Sequence, residues 1–154
     1  MKKLFIVIIL AVCGCGLYAQ TVMFQPEASV GFYNNENEKG LSYSYGGKII
    51  LMSNLYQRYG IIINHLTFKY DKSYLSVGIY LEQVLFSYFN MGIGTVGYIG
   101  LSDNQNPFGL YTHLGFEYPF GNRFHVIAAY RSDMIFSQNL TTNNAFMLSF
   151  GIHF

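Results

Sequence analysis

The last nine positions set the pattern for the whole chain. Phe146, Leu148, Phe150, Ile152 and Phe154 alternate with Met147, Ser149, Gly151 and His153, and a period of two predicts a β-strand. One face is large and apolar; the other is mostly small or polar. A soluble sandwich packs its apolar face inward and turns the polar face to water. A transmembrane barrel reverses that arrangement, because lipid wets its outside and polar groups line its lumen.

Seven further segments alternate in the same way, at about residues 26–34, 41–53, 58–70, 74–83, 88–100, 109–119 and 123–136. With the last they make eight, an even number that suits a bacterial barrel whose two ends lie on the periplasmic side. In the second segment Leu41, Tyr43, Tyr45, Gly47, Ile49 and Leu51 oppose Ser42, Ser44, Gly46, Lys48, Ile50 and Met52. In the fourth, Leu75, Val77, Ile79 and Leu81 oppose Ser76, Gly78, Tyr80 and Glu82. The third resists assignment: Ile61, Ile62 and Ile63 run together, so one register puts His65 outside and the other Asn64. Between the sixth and seventh segments, matching faces require an odd loop. Phe120-Gly121-Asn122 supplies three residues, a common hairpin length that would set Glu117 opposite His125.

The connections alternate in length. Residues 34–40, 101–107 and 137–144 are polar and relatively long, as extracellular loops are, whereas 54–57, 84–87 and 120–122 are short, as periplasmic turns are. A fourth outer connection, 71–73, is very short, which leaves the other three to build any surface contact.

Composition points the same way. Of 154 residues, 51% are hydrophobic and 18% aromatic, while only 11% are charged, against about 25% in ordinary soluble domains. Too few charges remain to coat a soluble surface of this size. The start is different in kind: Met1-Lys2-Lys3, then an apolar run from Leu4 to Val12, then Tyr18-Ala19 before Gln20, which reads as a cleaved signal peptide over 1–19 and a barrel domain over 20–154. At 14 residues the stretch from Leu4 to Leu17 falls short of the ~20 that a spanning helix needs. Cys13 and Cys15 both fall in this segment, so the mature chain is cysteine-free and a disulfide framework is excluded. Its net charge is −1, from seven basic and eight acidic side chains, and nothing in it attracts nucleic acid.

A barrel of eight strands is filled by side chains and is not an open channel. Alternation turns Glu27, Lys48, Glu82, Glu117, Arg123, His125, Arg131 and Asp133 inward. Since an unpaired buried charge costs several kcal/mol, these are expected as paired groups. The expected lumen network comprises Glu27, Lys48, Glu82, Glu117, His125 and Arg131, with Lys48 close above the two lower glutamates, and its expected role is structural support.

Catalysis would need a nucleophile beside a base and an orienting group. His65-Leu66-Thr67 is the nearest approach to the His-x-Ser arrangement of outer-membrane lipid A deacylases, and Ser132-Asp133 resembles a fragment of the palmitoyltransferase pattern. Neither is complete, so no enzyme is expected. The four histidines lack the tight spacing of metal ligands in sequence and there is no cysteine to join them; no metal site or cofactor is expected.

The terminal pattern Phe146, Leu148, Phe150, Ile152 and Phe154 resembles the carboxyl-terminal signal read by the barrel-assembly machinery of Gram-negative bacteria. Leu114-Gly115-Phe116-Glu117-Tyr118, Gly121-Asn122-Arg123-Phe124 and Ala129-Tyr130-Arg131 resemble the last hairpin of small OmpA/OmpX-like barrel domains, and Tyr18-Ala19-Gln20 resembles leader ends common in Bacteroidota. These resemblances imply an all-β fold, an eight-stranded antiparallel up-and-down transmembrane barrel in the outer membrane. They also imply two partners, outer-membrane lipid and the assembly machinery. A narrower similarity joins Phe116-Glu117, Asn122-Arg123-Phe124, Arg131 and Phe154 to the end of TraO-type proteins of conjugative transposons, which implies an envelope or conjugation partner. The expected function is a non-catalytic surface scaffold or binding protein acting through its extracellular loops. The alternatives are a TraO-like part of a conjugative apparatus and a lipid A-modifying enzyme.

Overall fold

The computed structural model describes residues 21–52, 56–68, 72–102, 105–121 and 123–154. The expected signal peptide and its boundary at residue 19 lie outside the described residues. Eight strands follow one another: β1 (Thr21–Asn34), β2 (Lys39–Met52), β3 (Gln57–Phe68), β4 (Ser73–Leu85), β5 (Phe89–Gly100), β6 (Phe108–Phe120), β7 (Phe124–Phe136) and β8 (Leu140–His153). Each pairs antiparallel with the next and β1 pairs with β8, closing the barrel. Both termini of the barrel, with the strand ends that β2–β3, β4–β5 and β6–β7 share, lie at one end, the terminal end. The strand ends that β1–β2, β3–β4, β5–β6 and β7–β8 share lie at the other, the loop end.

The faces follow the alternation. Along β8, Phe146, Leu148 and Phe150 are exposed while Met147, Ser149 and Gly151 are buried. Ile49, Leu81 and Ile93 are likewise exposed, as a wall solvated by hydrocarbon requires. Exposed rings gather at both rims, Phe32, Tyr43, Phe108 and Phe136 towards the loop end and Tyr56, Tyr88, Tyr118, Phe120 and Phe154 towards the terminal end. Aromatic girdles of this kind flank the apolar band of membrane barrels.

The ambiguous third segment is settled in favour of Asn64 inside, with Ile62 and Leu66, and His65 outside with Ile61 and Ile63. The deciding partner lies two strands away, over Gly46: Asn64 Nδ2 donates to Glu27 Oε1 at 2.7 Å. On the outer wall His65 packs against the Tyr45 ring, centroids 5.0 Å apart.

Several boundaries differ from the sequence reading, and β1 begins at Thr21, not at about residue 26. β8 begins at Leu140, so the expected loop 137–144 shrinks to 137–139. Thr141 and Asn143 are lumen residues, and Asn143 bonds to Ser42 and Asp133; their polarity reflects the interior, not solvent. The β6–β7 hairpin has three connecting residues, but they are 121–123, so Glu117 pairs with Ile127 and His125 with Pro119. The slip is two residues, which leaves every side chain on its expected face. It also puts Arg123 in the turn, exposed, instead of in the lumen. The β4–β5 turn is 86–88, where Phe86 and Ser87 both have positive φ, 53° and 64°, the backbone of a two-residue primed turn usually reserved for Asn and Gly.

At the seam, the β1–β8 partners run Met23↔His153 and Phe24↔Ile152, then resume at Glu27↔Ser149. Pro26 falls in the gap, and without an N–H it cannot complete the ladder there.

Candidate functional site

The lumen is layered. Near the loop end the rings of Tyr33, Phe68, Tyr74 and Tyr98 pack in sequence, with centroid separations of 4.6, 5.8 and 6.2 Å. Below them lies the first charge cluster. Arg131, fully buried, donates from Nε to Asp133 Oδ2 and from Nη2 to Asp133 Oδ1, both at 2.9 Å, and from Nη1 to Glu27 Oε1 at 3.0 Å. Lys48 Nζ lies 3.1 Å from the other Glu27 oxygen. Two cations thus face two carboxylates, and the cluster is formally neutral. Both cations lie over the Tyr111 ring, 4.8 Å from its centroid for the Arg131 guanidinium and 5.2 Å for Lys48 Nζ, a cation–π arrangement strengthened where water is excluded.

The second cluster sits nearer the terminal end. Arg58 bridges two carboxylates: Nη1 donates to Glu82 Oε1 at 3.0 Å, while Nη1 and Nη2 hold the Glu117 oxygens at 2.6 and 2.8 Å. Forked binding of this kind is among the stronger charge-assisted contacts. Asn90 Nδ2 donates to Glu117 at 3.1 Å, and His113 Nε2 lies 2.5 Å from Asn90 Oδ1 and 3.3 Å from Glu82 Oε2. The His113 ring lies over Gly92, where any Cβ would strike it. One guanidinium against two carboxylates leaves a formal charge of −1.

The six residues expected in one network are therefore divided. Glu27, Lys48 and Arg131 belong to the upper cluster and Glu82, Glu117 and His125 to the lower, with His125 Nδ1 2.7 Å from Glu117 Oε1. Lys48 turns up to Glu27 and does not join the lower glutamates as expected. Arg58 and His113 are the residues that the expected network lacks. Arg58 was concealed by the third segment: once Asn64 is inside, parity places Arg58 inside too. Asp133 faces inward as expected and anchors Arg131.

At the very mouth of the terminal end, His125 Nε2 meets His153 Nε2 across the β7–β8 pair, with the ring centroids 4.2 Å apart. At the loop end, a cavity of about 170 Å³ opens between the connections. Tyr33, Phe68 and Tyr74 form its floor, and Asn37, Gln105 and Gln138 are on its rim. Lys72 Nζ and Glu38 Oε2 close one side at 2.9 Å.

Neither partial catalytic pattern is completed among the described residues. Ser132 and Asp133 point to opposite faces: Ser132 Oγ donates outside to Asn144 Oδ1 at 2.9 Å, while Asp133 is committed to Arg131 inside. Thr67 Oγ1 lies 3.3 Å from His65 Nδ1 on the outer wall, and among the described residues no carboxylate contacts that histidine. Phe146, Leu148, Phe150 and Ile152 form the outer face of β8, and Phe154 beyond it is exposed, its N–H donating to Val22 O at 2.9 Å.

An apolar outer wall, two aromatic girdles and a lumen of paired charges define an eight-stranded antiparallel barrel of the transmembrane type. No protein-family model matches the chain, and no curated protein matches it in sequence. Among solved structures it is similar to Neisserial surface protein A, with a TM-score of 0.68 and 13% identity over 85% of this chain and 96% of that one. It is also similar to the N-terminal β-barrel domain of Pseudomonas aeruginosa OprF, with a TM-score of 0.61 and 11% identity over 88% and 98%. A third is the outer membrane protein OprG of Pseudomonas aeruginosa, with a TM-score of 0.50 and 11% identity over 89% and 97%. The likeness is one of fold: this chain has the architecture of small outer-membrane barrels.

Proposed function

We propose that this chain is an integral outer-membrane protein of a Gram-negative bacterium, its terminal end in the periplasm, and that it makes contacts at the cell surface through its loop end without catalysing a reaction. The plugged interior carries this reading. Fully buried side chains extend from Met23 at the terminal end through Lys48, Ile62 and Arg131 to Tyr33 near the loop end, which favours a rigid pedestal over a conduit. The loop end is then the part free to recognise something. Its cup of about 170 Å³ is smaller than the roughly 300–1,000 Å³ of a small-molecule site. It suits one ring or side chain of a larger partner. An aromatic floor with amides above it matches the apolar face and hydroxyl edge of a sugar, so a surface polysaccharide is the partner class we favour.

Orientation is testable because the processed chain is expected to lack cysteine. Gln138→Cys should react with a membrane-impermeant maleimide on intact cells, and Arg123→Cys only after the outer membrane is permeabilised; the opposite pattern rejects the assignment. For recognition, cells displaying the protein are compared with cells displaying a variant carrying Asn37, Gln105 and Gln138 all replaced by Ala. Captures on polysaccharide-coated surfaces should differ, and equal capture rejects the cup.

Assembly provides a further prediction. The barrel-assembly machinery is the proposed reader of Phe146, Leu148, Phe150, Ile152 and Phe154. Deleting Phe154 should lower the amount of protein whose electrophoretic mobility changes on boiling, since that change reports a folded barrel. Unchanged folded yield would remove the terminal aromatic from the recognition step.

A further inference from the structure

We propose that the outer face of β7, β8 and β1 is an interface between two copies of this chain in the membrane, with Asn144 beside the two-fold axis. The proposal rests on the outer-membrane reading above. Its starting point is a polar row where the wall is expected to meet hydrocarbon. Thr112, Ser132 and Asn144 are register partners on β6, β7 and β8, and all three are half-buried on the outward face. Each stands four residues in from the loop end of its strand, at Phe108, Phe136 and Leu140. With ~3.3 Å per residue and a strand tilt of ~40°, the row lies about 10 Å below that rim, within an apolar band ~25 Å tall.

The hydrogen bonds of the row stop at Asn144. Thr112 Oγ1 donates to Ser132 O at 3.3 Å, and Ser132 Oγ donates to Asn144 Oδ1 at 2.9 Å. Among the described residues, Asn144 Nδ2 finds no acceptor; its register partner on β1 is Phe32. The other outward carboxamides among those residues, Asn34, Gln57 and Gln83, stand within two residues of a strand end, where interfacial water is near. At the depth of Asn144 neither water nor a lipid tail offers an acceptor.

A second copy supplies one. Two barrels inserted the same way up are related by a two-fold axis along the membrane normal, so a residue beside that axis meets its own counterpart at equal depth. Such a group must complement itself. A carboxamide does, because Nδ2 is a donor and Oδ1 keeps a second lone pair after accepting from Ser132. Each Asn144 then donates to the other, and no amide hydrogen need point into lipid.

The relief of the wall beside Asn144 is self-complementary too. Along one register row Phe116, Ala128, Leu148 and Ala28 alternate large and small, so Leu148 is a knob with a hollow on either side. A groove of about 790 Å³ is lined by both alanines together with Phe116, Phe146 and Leu148. Knob and hollow on one patch let each copy fill the other, and small residues allow the close approach on which packing inside a membrane depends. In a separate barrel the same patch faces lipid.

The test uses the full chain assembled in outer membranes, labelled at Gln138→Cys and reconstituted in phosphatidylcholine vesicles. Single-molecule photobleaching then counts copies over a series of protein-to-lipid ratios. Two-step bleaching should rise with that ratio. Asn144→Leu should weaken dimerisation about 10-fold, two hydrogen bonds at the several-fold each that polar contacts contribute in membranes, with no loss of folded yield. Ala128→Phe fills the hollow and should act in the same direction. Val77→Phe, on β4 at the opposite side of the barrel, should leave dimers unchanged. Mobility that changes on boiling confirms each folded variant, and if Asn144→Leu does not fold, Ala128→Phe and the unaltered protein still decide. The proposal is overturned by one-step bleaching at every ratio, by unchanged dimerisation in both Asn144→Leu and Ala128→Phe, or by an equal loss in Val77→Phe. Native mass spectrometry showing a lipid held by single barrels and lost in Asn144→Leu would also overturn it, by assigning the polar row to lipid. Failure of the outer-membrane reading is distinct: the unaltered chain would then stay dispersed without detergent and show no mobility change on boiling.

Discussion

Replacing Arg131 by Met is expected to destabilise the barrel by about 3–5 kcal/mol, the usual cost of removing one partner of a buried ion pair. Arg131 has no exposure and commits three nitrogens, two to Asp133 and one to Glu27. Without it, Glu27 keeps Lys48 and Asn64, but Asp133 keeps only the neutral donors Tyr98 and Asn143, at 3.3 and 3.1 Å. The cluster passes from formal neutrality to −1 inside a closed wall, and the Tyr111 ring loses one of its two cations. The measurement is reversible denaturant unfolding in lipid vesicles. The double variant Arg131→Met with Asp133→Leu should recover part of the loss, because it removes cation and anion together and leaves the neutral Glu27–Lys48 pair; such paired removals are often close to neutral. A single-variant loss below about 1 kcal/mol would mean that water reaches the middle of the barrel and solvates Asp133 there.

The second large effect belongs to the outer wall. Leu148→Arg is expected to cost about 2–4 kcal/mol, the range for a charge near the bilayer midplane on the lipid face of a barrel. Leu148 is 62% exposed, lies in the middle of β8 and pairs with Ala28 and Ala128, whose small side chains leave it standing proud of the wall. Ser149, one position on, is buried and accepts a hydrogen bond from Gln25 Nε2 at 3.0 Å. Ser149→Asn keeps a polar group against a polar partner and should cost less than about 1 kcal/mol, of the order of one hydrogen bond's net worth. On a water-facing surface the ranking would be different, since Arg at an exposed position is close to neutral. Equal costs at 148 and 149, measured in the same vesicles, would contradict the sidedness of the wall.

Much of this architecture is readable from periodicity. β2, β4, β6, β7 and β8 show their two faces in sequence, and the inward direction of Lys48, Glu82, Glu117, Arg131 and Asp133 follows from parity once the wall is taken to face lipid. Parity is also robust: the two-residue slip in the β6–β7 hairpin changed the pairing of Glu117 and left its direction intact. Contrast is what periodicity requires, and where contrast fails the reading fails. Ile61-Ile62-Ile63 has none, so the direction of Asn64 and with it that of Arg58 stayed open. Thr141–Asn144 is polar on both faces and reads as loop, although lumen partners hold it in β8.

The sequence by itself determined the count of strands, the inside and outside of most of them, and the need for internal charge pairs, because each is a local property of alternating side chains and of the low tolerance of a dry interior for lone charge. Only the tertiary structure decided which charges pair, since closing the barrel sets side chains from distant strands against one another: Glu27 with Lys48 and Arg131, Arg58 with Glu82 and Glu117. The register of the β7–β8 hairpin set His125 beside His153. Spacing along a chain measures side-chain proximity on a helix or in a tight loop; between strands, hairpin register measures it, and register depends on the turns and lumen contacts that local alternation does not encode.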